Sequence, residues 1–241
     1  MKNITMRSVA VVTVVAAMGI GIPAAAFASS TTTTAAPSAS FIGARQALEA
    51  KLANRASRLQ HLAADVTGAT TLATSASLTL QARLSSEEAS INSLIAKVPT
   101  DTTRAELNAD NAAMLNDNRV YAVMSPQVFE MIEASVVAGQ VTTMQGNEST
   151  LQSEVTSLVG LPGYANALNH YSNYVARISN WSSKIVTLQG SVLAQTPQGY
   201  PGNTNVFVNA NHQILKANIA LAYAAYDANI IGLASGGYTG S

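Results

Sequence analysis

Three histidines, His61, His170 and His212, are the side chains of this sequence best suited to hold a metal ion or to transfer a proton near neutral pH. None of them stands in a His-x-x-x-His or Glu-x-x-His frame, the spacings that place two metal ligands on one face of a helix. The 241 residues contain no cysteine, which excludes a thiolate metal site. We therefore expect no metal and no cofactor, and we interpret each histidine as a half-exposed helix residue.

Serine and carboxylate residues show no catalytic signature either. The Gly-x-Ser-x-Gly elbow of serine hydrolases and the glycine-rich loops that bind phosphates are both missing. The neighbouring carboxylates Glu87–Glu88 and Glu130/Glu133 could act as an acid and a base, but exposed positions on helices explain them better. No enzymatic activity is expected, and an enzyme would require that the histidines meet carboxylates in space.

Arg119, Tyr121 and Pro126 form the one local cluster that could serve recognition. Arg119 is a cation in an otherwise acidic region, beside an aromatic residue and shortly before a proline. A structural interpretation pairs Arg119 with Asp110, Asp117 or a helix C-terminus, so that it fixes a kink. A functional interpretation makes the cluster a recognition surface for a partner or an anionic group.

The same cluster supports a family resemblance. The run Arg-Val-Tyr-x-x-x-x-Pro-Gln from Arg119 follows a helix that begins Asp-Thr-Thr-x-x-x-Leu at Asp101, and a Pro-Gln-Gly-Tyr-Pro loop begins at Pro197. These motifs resemble a set of secreted helical proteins of actinobacteria with coiled-coil-like bundles. The resemblance spans roughly Leu59 to Leu233 and implies a signal peptide and a helical bundle, but no particular activity.

Helices must position these residues, because the apolar pattern is helical from end to end. The clearest heptad runs from Tyr164 to Val192, with Trp181 in its one gap, and indicates near-parallel packing against neighbouring helices. Thr103 and Glu106 have the spacing of a capping box at a helix start. Pro126 predicts a kink or a break. The side chains expected inside include Leu107, Leu115, Tyr121, Leu168, Tyr226 and Leu233.

The predicted fold is all-α: an elongated antiparallel helical bundle with coiled-coil-like packing, about five to six helices and a kink or break near Pro126. We divide the chain into a signal peptide (1–28), a flexible Ser/Thr-rich linker (29–40), the bundle domain (41–235) and a flexible tail (236–241). The signal peptide is inferred from a basic start, an apolar run and the Ala-Phe-Ala that ends at Ala28.

The charge balance excludes one class of partner. The chain has 13 basic and 13 acidic residues, whereas a nucleic-acid-binding protein needs a basic face. Four basic residues between Arg45 and Arg58 face only one acidic residue in that stretch, so the first helix could pair with the acidic middle helices; ordinary solvated surface is the simpler interpretation.

The leading functional hypothesis is an exported, non-enzymatic bundle that acts by surface interaction at the cell envelope or in the extracellular space. It has no membrane span after signal cleavage, and self-association or an envelope component is its expected partner. The candidate interaction residues are Arg119, Tyr121, Pro126 and Trp181. The alternative is a binding module for a small apolar ligand or a glycan, which uses the Tyr- and Trp-rich C-terminal helices.

Overall fold

The computed structural model of the chain describes residues 38–236, in which helices dominate and no strand occurs. The predicted all-α fold is confirmed. The six α-helices are α1 (Ala39–Gly68), α2 (Thr74–Lys97), α3 (Arg104–Asn116), α4 (Ser125–Ser157), α5 (Tyr164–Leu193) and α6 (Thr204–Gly236). The predicted signal peptide, the linker as far as residue 37 and the tail from residue 237 lie outside the described residues.

Side-chain caps explain where two of the helices begin. The Ser38 hydroxyl accepts a hydrogen bond from the Phe41 N–H at 3.2 Å, so α1 starts at Ala39, shortly before the predicted bundle boundary. At α3, the Thr103 hydroxyl accepts from the Glu106 N–H, and the Glu106 carboxylate accepts from the Thr103 N–H at 2.9 Å. The predicted capping box is confirmed.

Helices α4, α5 and α6 pack against one another as a three-helix group. Only the second half of the predicted α5 heptad is the buried inner face: Ile178, Ile185, Leu188 and Val192 are buried with Trp181, whereas Leu168 in the first half is exposed. On α6 the inner positions include the fully buried alanines Ala210, Ala217 and Ala224, which let the neighbouring helices approach closely. The heptad seam is therefore used within one chain.

Helices α1 and α2 form a hairpin that packs on α3, on the first part of α4 and on the turn before α4. Apolar side chains of both helices meet at its centre, among them Leu52, Leu59, Leu80, Leu84 and Ile91. The hairpin and the three-helix group share one continuous core of buried residues.

The break near Pro126 lies before the proline, not at it. Helix α3 ends at Asn116, a single π-helical turn spans Val120–Met124, and α4 begins at Ser125. Pro126 therefore occupies the first turn of α4, directly after the π-helical turn. The segments before and after the break are therefore two separate helices, α3 and α4, and not one kinked helix.

Several apolar side chains predicted to lie inside are exposed instead. At least 40% of the surface of each is accessible, and they are Leu115, Tyr121, Leu168, Tyr226 and Leu233. The predictions failed because each lies one position away from the buried stripe of its helix: Met114 is buried beside Leu115, and Asp227 beside Tyr226. Within residues 38–236, no helix is both long and apolar enough to span a membrane.

Candidate functional site

One histidine does meet a carboxylate. The His170 Nδ1 atom of α5 lies 2.7 Å from Oδ1 of Asp227 on α6, and the Arg177 Nε donates to Oδ2 of the same carboxylate at 3.2 Å. The Asp227 side chain is buried, and His170 is mostly buried. The carboxylate thus accepts from two donors on the neighbouring helix, an arrangement that joins α5 to α6.

The other two histidines lie elsewhere. His61 is exposed on α1, and His212 lies on the rim of a shallow depression of α6 with Glu130 of α4. Burial raises the pKa of Glu130 above its ordinary value, with the neighbouring Glu133 adding to the effect. The three histidines are not brought together, and residues 38–236 hold no cluster of three or more His, Asp or Glu with the geometry of a metal site.

The backbone at Arg119 is unusual in two ways. Its φ of 32° places it in the left-handed region, and it is the one non-glycine residue between 38 and 236 that lies there. Its carbonyl oxygen then accepts from the N–H groups of Val123 at 2.8 Å and of Met124 at 3.4 Å. The second of these bonds opens the π-helical turn. Strained residues and π turns both occur preferentially at functional sites.

Around this turn, three arginines lie over the faces of three aromatic rings. Arg119 lies 4.4 Å from the ring centre of Tyr200, Arg58 lies 5.0 Å from that of Phe129, and Arg55 lies 5.2 Å from that of Tyr121. We call these six residues the arginine–aromatic surface. The exposed fractions of Tyr121, Phe129 and Tyr200 are 50%, 43% and 38%, so the rings remain accessible.

Three parts of the fold hold the arginine–aromatic surface together. Helix α1 contributes Arg55 and Arg58, and Arg58 donates through Nε to the Ser125 hydroxyl at 3.1 Å. The Tyr121 hydroxyl of the π-helical turn reaches the Asn54 carbonyl of α1 at 3.4 Å. The surface therefore links the α1–α2 hairpin to the start of α4.

The third part is the loop between α5 and α6, which carries Tyr200. The buried Asn203 fixes this loop, because its side-chain N–H donates to the Thr196 carbonyl at 2.9 Å. A loop tied across its base by a buried amide keeps a stable position. The loop that holds Tyr200 against Arg119 is thus itself fixed by the Asn203 hydrogen bond.

The surface carries positive charge without a carboxylate partner. None of Arg55, Arg58 and Arg119 lies within ion-pair distance of an acidic side chain in the part of the chain that the structure describes. Of the partners that the structural interpretation gave for Arg119, Asp110 and Asp117 are wrong, whereas its bond to Asn116 places it at the C-terminus of α3. Asp110 bonds to Lys97, and Arg119 donates to the Asn116 side chain at 3.0 Å instead.

The same contacts show where the arginines of α1 lie. The sequence also allowed the basic residues of α1 to pair with the acidic middle helices. Among residues 38–236, however, no ion pair joins α1 to α3 or to α4. The arginines lie over aromatic rings instead. An arginine stacked on a ring keeps its charge and its in-plane N–H groups available to a partner, so the surface is suited to binding one.

Trp181 lies apart from the other predicted interaction residues. It lines a groove of about 370 Å³ between α5 and α6, together with Lys184, whose ammonium lies 5.4 Å from the indole centre. The rest of the lining is mostly hydroxyl and amide side chains: Ser183, Thr187, Ser191, Asn209 and Gln213. The structure therefore places Arg119, Tyr121 and Pro126 at one site and Trp181 at another.

Sequence reasoning missed half of the arginine–aromatic surface. Arg55, Arg58 and Phe129 were part of helical patterns with no local mark of a function, and they join the site through tertiary packing. Tyr200 had a weak signal, because it lies in the Pro-Gln-Gly-Tyr-Pro loop that accompanies the Arg119 motif.

Comparison with known proteins finds no matching family model, no matching curated protein and no matching solved structure. The resemblance to secreted actinobacterial helical proteins therefore stays a prediction.

Proposed function

We propose that this chain is an exported, non-enzymatic binding protein that acts at the cell envelope, and that the arginine–aromatic surface makes the contact. The observation that carries the proposal is that Arg55, Arg58 and Arg119 each lie over an exposed aromatic ring and lack a carboxylate partner. Arginine and tyrosine are the residues most enriched at the energetic centres of protein interfaces. The predicted signal peptide at residues 1–28 supports the location.

The strain at Arg119 supports the same surface. A residue with φ of 32° costs stability unless the surrounding structure holds it there, and here the π-helical turn and Tyr200 do so. Such a rigid, pre-formed arrangement lowers the entropy lost when a partner binds.

A co-sedimentation experiment tests the proposal. Protein obtained by expression of the full-length gene is mixed with isolated cell envelopes, and the bound fraction is measured for the wild type and for Arg55→Gln combined with Tyr121→Ala. We expect the double variant to bind about tenfold more weakly. The control is Arg104→Gln, which removes an exposed arginine from the start of α3, outside the surface.

Two results would contradict the proposal. Equal binding by the double variant and the wild type would remove the arginine–aromatic surface from the function. Recovery of the full-length chain in the cytoplasmic fraction, with residues 1–28 still attached, would remove the export.

The groove beside Trp181 supports a second candidate function, the binding of a glycan. Its lining of three hydroxyls and two amides beside the buried Trp181 indole offers hydrogen-bond partners to the hydroxyl groups of a sugar. A volume of about 370 Å³ is at the lower end of the range for small-molecule sites.

Intrinsic fluorescence gives a direct test of the groove, because Trp181 is the sole tryptophan of the chain. Titration with soluble envelope oligosaccharides is expected to shift its emission, and Asn209→Ala is expected to weaken the response. The variant Asn229→Ala, an exposed position farther along α6, serves as the control. An emission spectrum that no oligosaccharide changes would exclude this candidate.

A further inference from the structure

Within the arginine–aromatic surface lies a small notch between α1 and the π-helical turn. It measures about 100 Å³, and Arg55 and Arg119 both line it. The remaining wall is apolar or aromatic, with Met114, Leu115 and Tyr121 among its residues. Two cationic side chains therefore border a space whose other walls offer no counter-charge.

Both guanidinium groups keep donors for a ligand. Cation–ring stacking uses the face of the guanidinium, whereas its five N–H bonds lie in the plane. Arg55 uses one of them for a 3.4 Å contact with the Lys51 carbonyl. Arg119 uses one for the Asn116 side chain, and its Nε is buried without any hydrogen-bond partner.

The unpartnered Nε of Arg119 points to a missing acceptor. A buried donor that makes no hydrogen bond is unfavourable, and it is rare in folded proteins. Rotation of the side chain to solvent would relieve it, but the ring of Tyr200 at 4.4 Å and the Asn116 side chain hold the guanidinium in place. Arg119, which lines the notch, thus carries an unmet hydrogen bond.

We propose that the notch between Arg55 and Arg119 binds a phosphate group, and this inference rests on the proposed function by naming what the surface recognises. A space of about 100 Å³ suits a single tetrahedral oxyanion better than a larger ligand. Two separate guanidinium groups match the several oxygens and the double charge of phosphate, whereas a planar carboxylate satisfies one fork. The phosphate belongs to an anionic envelope component or to a free molecule.

Nuclear magnetic resonance of the arginine side chains tests the inference on the whole protein. With 15N-labelled arginine, the Nε–H signals of Arg55 and Arg119 are followed as inorganic phosphate is added at constant ionic strength. We expect a saturable shift of both signals, which chloride does not produce and acetate produces far more weakly. An equal response to acetate, or none to phosphate, would overturn the inference.

Two variants and one control add a second readout. Arg119→Lys keeps the charge and the backbone strain but loses the planar fork, and Arg55→Gln removes one charge; each is expected to weaken phosphate binding about tenfold. Arg104→Gln is expected to bind phosphate as the wild type does. Circular dichroism and the melting temperature show whether each variant is folded. If a variant is unfolded, the phosphate titration of the wild type alone tests whether the notch binds phosphate.

Competition in the envelope experiment separates this inference from the proposed function. If inorganic phosphate or a short polyphosphate displaces the wild type from envelopes, both the proposed envelope binding and the phosphate inference are supported. If envelope binding persists and phosphate has no effect on it, the phosphate inference fails alone. If no envelope binding occurs but phosphate saturates the notch, the proposed function fails alone. Vesicles with and without phosphatidylglycerol then show whether a lipid headgroup is the source.

Discussion

In this bundle, buried polar side chains determine which helices contact each other, because each of them bonds to a specific partner on a neighbouring helix. Asp227 is the clearest example, because its carboxylate is buried between α5 and α6 and accepts from both His170 and Arg177. Tyr174 does the same for α4, since its hydroxyl donates to the Met144 carbonyl at 2.6 Å. These bonds add directional constraints to a core that is otherwise apolar.

Replacement of Asp227 by asparagine should destabilise the protein. The substitution leaves His170 and Arg177 facing a neutral amide, and we expect the free energy of unfolding to fall by about 1–3 kcal/mol. Chemical denaturation measures it. The matched control is Asp65→Asn on the exposed face of α1, where a change below about 0.5 kcal/mol is expected. Equal losses in the two variants would show that the Asp227 contacts contribute nothing specific.

Glu87 should make stability depend on pH. Burial of its side chain, with the nearby negative Asp117, raises the pKa of this carboxyl from 4.5 to about 7. Between those two values the folded state holds a proton that the unfolded state has lost, so stability falls as pH rises through this window.

The variant Glu87→Gln should remove most of that fall. Denaturation at pH 5 and pH 8 is expected to show the wild type losing about 1 kcal/mol more than the variant, less than full linkage predicts because water reaches part of the carboxyl. Glu88→Gln is the control, since Glu88 is on the same helix and bonds to Gln60 at 2.9 Å. A pH profile unchanged by Glu87→Gln would show that this carboxyl is charged throughout.

Residue roles were predictable from sequence only where the signal was local. The Thr103–Glu106 capping box depends on residues three positions apart, and it was found. The burial of Asp227 depends on which face of α6 packs against α5. The sequence of α6 alone does not predict that this polar residue is buried. The stacking partner of Arg119 could not be predicted for the same reason, because Tyr200 is distant from it in sequence.

At the scale of elements, glycines show how the chain turns between long helices. Gly163 has a φ of 96° and is the residue immediately before α5, a conformation that side chains with a Cβ rarely adopt. Gly146 lies inside α4, in open space and with ordinary helical geometry. Glycine has a low helix propensity, yet α4 continues through both Gly139 and Gly146 because tertiary packing outweighs it.

Alanine at these two glycines should have opposite effects. Gly163→Ala forces a side chain into the left-handed region and should lower stability by about 1 kcal/mol or more. Gly146→Ala meets no neighbour and reduces the entropy of the unfolded chain, so a gain of about 0.5–1 kcal/mol is expected. Melting curves of the two variants test this. Destabilisation by Gly146→Ala would mean that α4 needs flexibility at that point.

The position of the break near Pro126 shows a limit of element prediction. Proline predicts that a helix stops or starts nearby, and it was found in the first turn of α4. The π-helical turn before it has no sequence signal of its own, because it arises from one left-handed residue, Arg119, held by tertiary contacts. The exposure of Tyr121 follows from that turn, which shifts the apolar stripe.

On the scale of the whole molecule, small residues allow three helices to share one core. Ala210, Ala217 and Ala224 recur every seven residues on α6, and all three are fully buried against the neighbouring helices. Large side chains of the other helices, including Tyr174 and Ile178 of α5, are buried in the same core. Large and small residues therefore complement one another, as close packing requires. The all-α class was predictable from periodicity, whereas this pairing of faces was not.

Overpacking at the centre of α6 should reveal how tightly the three-helix group closes. Ala217→Leu adds three heavy atoms where the wild-type side chain has no exposed surface, so α4, α5 and α6 must move apart. We expect the free energy of unfolding to fall by about 1–3 kcal/mol, with helical content retained because the propensities of alanine and leucine are close. The control is Ala225→Leu on the exposed face of the same helix, where a change below about 0.5 kcal/mol is expected. If Ala217→Leu melted at the same temperature as the wild type, the helices around it would have to be loosely packed.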